Sequence, residues 1–164
     1  MGFAPRQLGH LVIKVRDLDS AEDFYTRIMG LTVMNRRAGH MVFMSANTEL
    51  THELAIAKVG DDAPGPEDSG VGLAHMAWQM DSYEDLQELY RRLKENNVRI
   101  TRVVEHRLSR GVYLLDPDDN GIEVYYELPK SMWSEYEGRF NELFPEKLEE
   151  EPAGVADNSE EDVK

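Results

Sequence analysis

Short apolar runs separated by polar turns recur along the chain, and one of them recurs together with its surroundings. The segment LGHLVIKVRDLDSAEDFY, from Leu8 to Tyr25, is echoed by LAHMAWQMDSYEDLQ, from Leu73 to Gln87. His10 and His75 occupy the same place in the two copies, and Asp19-Ser20-Ala21-Glu22-Asp23 returns as Asp81-Ser82-Tyr83-Glu84-Asp85. Each copy opens on a run of strand character and continues into Asp-Ser followed by acids, the signature of a capped helix start. Helices are predicted at about Ser20 to Ile28 and Ser82 to Asn96. In the second, Leu86, Leu89, Tyr90 and Leu93 fall at helical spacing.

Three strand-like runs follow each helix: Leu31 to Arg36, His40 to Ser45 and His52 to Val59, then Arg99 to Glu105, Gly111 to Leu115 and Gly121 to Leu128. The pattern predicts an α+β fold of two βαβββ modules forming a cupped mixed sheet. Module one spans 7–59 and module two 73–128, joined by a Gly-, Pro- and Asp-rich linker at 60–72. The run Asp116-Pro117-Asp118-Asp119-Asn120-Gly121 reads as a turn, with Asn-Gly supplying positive φ. A C-terminal helix is predicted at 130–144, with Trp133, Tyr136, Phe140 and Leu143 in one apolar stripe. These elements make one domain, 1–146.

Composition narrows the function classes. Eighteen Lys and Arg stand against 32 Asp and Glu, a formal charge of -14. Such a balance argues against nucleic acid and against an anionic membrane surface as partners. No Cys is present, which removes disulfides, thiolate metal sites and cysteine nucleophiles. No apolar run is long enough to span a bilayer, and Met1 to Leu8 lacks the pattern of a signal peptide, so a cytoplasmic location is expected. Residues 147–164 carry seven acids, two lysines and almost nothing large and apolar, the composition of a disordered acidic tail.

The pseudo-symmetry of the modules brings His10 and His75 together. Glu53, in THELAIA, follows His10 by 43 residues, and Glu123, in GIEVYYE, follows His75 by 48. Imidazole and carboxylate donors suit Fe(II), Mn(II), Zn, Ni or Co. Two His and one carboxylate leave open positions for oxygen chemistry. Four protein ligands, His10, Glu53, His75 and Glu123, suit Lewis-acid isomerisation. Strand alternation sends His52 and Glu53 to opposite faces, so one of the two addresses the cup. His40, at a strand start after Gly39, reads as a rim residue.

These features resemble the vicinal oxygen chelate superfamily, which includes glyoxalase I, fosfomycin-resistance and bleomycin-binding proteins and extradiol dioxygenases. The resemblance covers Gln7 to Leu128. Its motifs are most like those of single-domain type I extradiol catechol dioxygenases. His75 in LAHMAWQMDS resembles a ligand strand of that group. In YLLDPDDNGIEVYY, Tyr113 stands ten residues before Glu123, as in the group's signature. HRLSRG, from His106, and HELAIAKVGD, from His52, resemble its two segments that carry non-ligand histidines. The resemblance implies Fe(II) held by His10, His75 and Glu123, with His52, His106 and Tyr113 as catalytic residues. It implies an aromatic diol and O2 as substrates, ring cleavage beside the hydroxyls, and a homodimer. The rival within the superfamily is a glyoxalase- or epimerase-type enzyme using Glu53 with Zn, Ni or Co. A further rival is a non-catalytic, bleomycin-resistance-like binding protein, which lacks the metal triad.

Overall fold

The computed structural model describes residues 3–67, 69–135 and 148. In module one, β1 (Leu11–Val15) leads to α1 (Leu18–Asp23) and then to β2 (Thr32–Arg37), β3 (Met41–Ser45) and β4 (Leu54–Lys58). In module two, β5 (Met76–Gln79) and α2 (Tyr83–Glu95) precede β6 (Ile100–Glu105), β7 (Ser109–Leu115) and β8 (Gly121–Glu127). Each module is therefore βαβββ, and each forms a four-stranded mixed sheet. The orders, β1-β4-β3-β2 and β5-β8-β7-β6, are identical.

The helices form for local reasons. The Ser82 hydroxyl accepts from the Asp85 amide at 3.1 Å and caps α2. Glu84 and Asp85 in its first turn and Arg92 and Lys94 in its last complement the helix dipole. Tyr83, Leu86, Leu89 and Leu93 are its buried stripe. The first helix starts earlier than the sequence implies, because Asp17 rather than Ser20 is its cap, accepting from the Asp19 amide at 3.2 Å. It then widens into a π-helical turn at Phe24–Ile28, in which Phe24, Tyr25 and Ile28 are all buried. Gly30, at φ 81°, ends it.

Both sheets contribute to one apolar core, with Val15, Tyr25, Met44, Ile56, Leu86, Val112 and Val124 fully enclosed. A polar seam also ties the modules together. The turn after β7 reads in the sequence as a strand connection, yet Asp116 and Asp118 are buried. Tyr25 donates its hydroxyl to Asp116 Oδ2 at 2.9 Å, and Arg16 binds Asp118 Oδ1 at 2.8 Å and the Ala63 carbonyl at 2.7 Å. Asn120 Nδ2 reaches the Lys14 carbonyl. Positive φ in this turn falls on Asp119, at 70°, not on the Asn-Gly pair. Gly121 is required for another reason: a Cβ there would run into the Ala74 carbonyl and lie 3.2 Å from His75 Cβ.

Within the predicted helix at 130–144, Lys130–Glu135 forms a 3-10 turn, with Trp133 Nε1 bonded to the Leu128 carbonyl. The remainder, including Tyr136, Phe140 and Leu143, lies outside the described residues. So does the acidic tail apart from Leu148, which is buried against the core.

Candidate metal centre

His10 and His75 each sit one residue before the first strand of a module, so the repeat places them alike. The strand register then shows which later positions correspond. In module one, Leu11 faces Leu54 and Val12 faces Ala55; in module two, Met76 faces Ile122 and Ala77 faces Glu123. The counterpart of Glu123 is therefore Ala55, not Glu53, whose own counterpart is Gly121. The neighbouring strands agree. Phe43 faces Ala55 as Tyr113 faces Glu123, and both modules carry a bulge at the same place, next to Asn35 and Arg102.

This corrects the expectation that Glu53 mirrors Glu123 from within a strand. Glu53 precedes β4, and one oxygen of its carboxylate is engaged by the loop after β3. Its Oε2 accepts from the Ser45 hydroxyl at 2.8 Å, the Ala46 amide at 2.9 Å and the Asn47 amide at 3.0 Å. Burial works to raise its pKa, but the bonds from Asn47, Ser45 and Ala46 outweigh it and hold the group below its ordinary value. Glu53 thus braces the loop after β3, and the four-ligand set is not assembled. His52 is the neighbour that turns toward His10, with ring centroids 4.4 Å apart, and the Phe43 ring meets it edge-on at 5.2 Å.

In module two the polar groups gather more closely. His75 Nε2 lies 3.2 Å from Glu123 Oε2. The His75 ring meets Tyr113 edge-on at 5.2 Å, and the Arg102 guanidinium lies 4.0 Å from the Tyr113 ring centroid. Burial and the facing Glu123 carboxylate push the Tyr113 phenol upward, and Arg102 pulls it partly back. Gly111 makes room for this arrangement, since a Cβ there would stand 2.8 Å from Glu123 Oε1.

The donor types suit Fe(II) and its neighbours. Two ligand atoms bound about 2.1 Å from one ion at a right angle lie about 3 Å apart, which matches the His75–Glu123 separation. A cleft of about 140 Å³ is lined by His10, Leu11 and Glu53 from module one and by Met76 and Trp78 from module two. Among the described residues, no three His, Asp or Glu side chains are close enough to hold an ion together. Two of the three expected ligands are therefore paired, and the third is grouped with His52.

His106 lies in the turn between β6 and β7, with its Nδ1 buried and unpartnered. Tyr125, whose phenol is raised first by burial and then by Glu127 and Glu123, lies on the same face as Glu123. His40 is exposed beside β3. Sequence reasoning missed Arg102, Gly111 and the buried acids of the seam. Only Gly111, a glycine inside a strand, carried a signal of close approach.

The chain belongs to the Glyoxalase/Bleomycin resistance protein/Dioxygenase superfamily, whose family model matches residues 7–124. It is 29% identical over 131 residues to a catechol-2,3-dioxygenase of Bacillus subtilis (strain 168), covering 77% of this chain and 43% of that protein. It is 27% identical over 124 residues to biphenyl-2,3-diol 1,2-dioxygenase 3 of Rhodococcus globerulus, covering 76% and 64%. The chain thus spans less than two thirds of these curated relatives. A glyoxalase/dioxygenase from Nostoc punctiforme shares the fold at a TM-score of 0.65 and 20% identity, over 79% of this chain and 98% of that one. No helix among the described residues is long and apolar enough to cross a membrane.

Proposed function

We propose that this protein is an Fe(II)-dependent extradiol dioxygenase that cleaves a catechol-type aromatic diol with O2, incorporating both oxygen atoms. The observation that carries this reading is the asymmetry of the modules. Tyr113 and Glu123 stand together against His75, whereas the matching positions of module one are Phe43 and Ala55. An isomerase that used a carboxylate from each module would draw on Glu53, whose Oε2 is instead held by three bonds in the loop after β3 and whose register partner in module two is Gly121. The named activities of the two curated relatives point the same way.

In this reading His75 and Glu123 hold Fe(II) with His10 as the third ligand. When bound, the metal supplies a Lewis acid for the diol and the redox chemistry that O2 requires. His52 accepts a phenolic proton at a ring nitrogen and returns it as the ring opens, a task suited to imidazole near neutral pH. Tyr113 keeps its proton, because burial and Glu123 hold the phenol up, and so donates a hydrogen bond from its hydroxyl to substrate oxygen. His106, in the turn between β6 and β7, contributes a further donor. A homodimer fits the exposed Leu8, Val12 and Leu73, of which Leu8 lines the cleft.

The test is oxygen uptake by protein loaded anaerobically with Fe(II) and offered a panel of catechols. Oxygen consumption with a yellow ring-opened product is expected. No uptake on any diol, with Zn, Ni or Co retained tightly by the isolated protein, would favour an isomerase.

A further inference from the structure

Among the described residues most arginines are balanced by an acid. Arg16, Arg27, Arg36, Arg91, Arg92, Arg99 and Arg110 each stand within ion-pair distance of an Asp or Glu. Arg102 is an exception on the candidate site. Among the described residues its guanidinium meets no carboxylate and lies over the Tyr113 ring instead. Among the described residues Arg6, Arg37 and Arg107 also lack such a partner, but they stand in the N-terminal segment, at the end of β2 and in the β6–β7 turn.

The bulge in β6 sets this placement. Ile100 faces Leu114 and Arg102 faces Tyr113, so one extra residue advances Arg102 onto the ring. The matching bulge in module one brings Asn35 opposite Phe43. The cation is thus peculiar to the module that carries His75 and Glu123, and it stands one aromatic ring away from that pair. Arg102 is exposed beyond its contact with Tyr113, and a guanidinium presents its N–H groups as a planar fork that fits a carboxylate. In a body this acidic, an anionic ligand is repelled at long range and needs a local cation to be held.

We propose that Arg102 is a specificity residue that binds an acidic substituent on the substrate, so that the substrate class is an aromatic vicinal diol bearing a carboxylate. This rests on the diol reading above. One end of such a molecule addresses His75 and Glu123, and the other addresses Arg102.

The test compares dihydroxyphenylacetate with methylcatechol, bound anaerobically to the Fe(II)-loaded protein and followed by tryptophan fluorescence and calorimetry. The wild-type protein is expected to bind the carboxylate-bearing diol about tenfold more tightly, as a charge-assisted pair gives. In Arg102→Gln that preference disappears, and in Arg102→Lys part of it remains, because a point charge replaces the fork. Far-ultraviolet circular dichroism checks that both variants are folded. Equal or tighter binding of methylcatechol by the wild-type protein would overturn the role of Arg102 while leaving the diol reading intact, as would a preference that survives in Arg102→Gln. Binding of neither diol would overturn the diol reading and this inference with it.

Discussion

Tyr25→Phe removes one oxygen from the seam between the modules and little else. Asp116 accepts four hydrogen bonds: Oδ1 from the Asp118 and Asn120 amides, Oδ2 from Asn120 Nδ2 and the Tyr25 hydroxyl. Losing the last leaves three, so the buried carboxylate is weakened but not orphaned. A hydrogen bond to a charged group is worth about 1.5–3 kcal/mol. For a domain of this size each kcal/mol moves Tm by about 2–4 °C, so a fall of about 3–12 °C is expected at neutral pH. The loss should also depend on pH. Burial raises the Asp116 pKa above its ordinary 3.8, against the opposing bonds from Asn120, Tyr25 and Asp118. A carboxylate raised on folding contributes stability that is present below its unfolded pKa and fades as pH rises through the folded one. Protonation also reduces the bond from Tyr25 to a neutral pair. The gap between wild type and variant, measured by scanning calorimetry, should therefore narrow as pH falls through the raised pKa. A change in Tm below about 1 °C at neutral pH, or a gap that widens in acid, would refute the assignment of this bond as a seam contact.

Glu53→Gln should lower Tm by several degrees yet leave Fe(II) and Zn affinity within about threefold, since its bonds brace a loop; a much larger loss of affinity would restore it as a ligand. The Glu53 contribution is present above the ordinary carboxylate value of 4.5 and is lost as pH falls through its lowered folded pKa, so the destabilisation should shrink in acid. Gly111→Ala forces a Cβ against Glu123 Oε1 and should weaken metal binding about tenfold or more, read by competition with a chromophoric chelator. Glu123→Gln and His75→Ala should each do at least as much. In the Fe(II)-loaded protein, His52→Ala should lower kcat about a hundredfold or more while metal affinity changes little.

The repeat made the architecture legible. Two capped helices and six later strands follow from periodicity and punctuation, and α2 lies within a residue of its predicted span. What sequence could not supply was register. Counting residues paired Glu53 with Glu123, because the two intervening stretches differ by five. Hydrogen bonding pairs Ala55 with Glu123 instead, and an alanine carries no chemical signal. Likewise, His52 precedes its strand, so alternation does not govern where it points. The seam was hidden because Asp-Pro-Asp-Asp-Asn-Gly reads as surface turn chemistry, and the burial of Asp116 and Asp118 is a tertiary fact. Arg102 was invisible because only the bulge at Thr101 places it on Tyr113.

The turn that fastens the modules is also the turn that delivers β8. Asp116 and Asp118 grip Tyr25 and Arg16, and five residues beyond Asp118 the chain presents Glu123. The seam therefore acts as an anchorage for the Glu123 carboxylate, the proposed metal ligand, and its stiffness becomes the stiffness of the candidate site. Any change that slackens the anchorage, in a segment that touches neither metal nor substrate, would be transmitted to Glu123 as lost aim. Adaptation to a new substrate can proceed through the rim and through module one, while this clasp is the part that cannot drift.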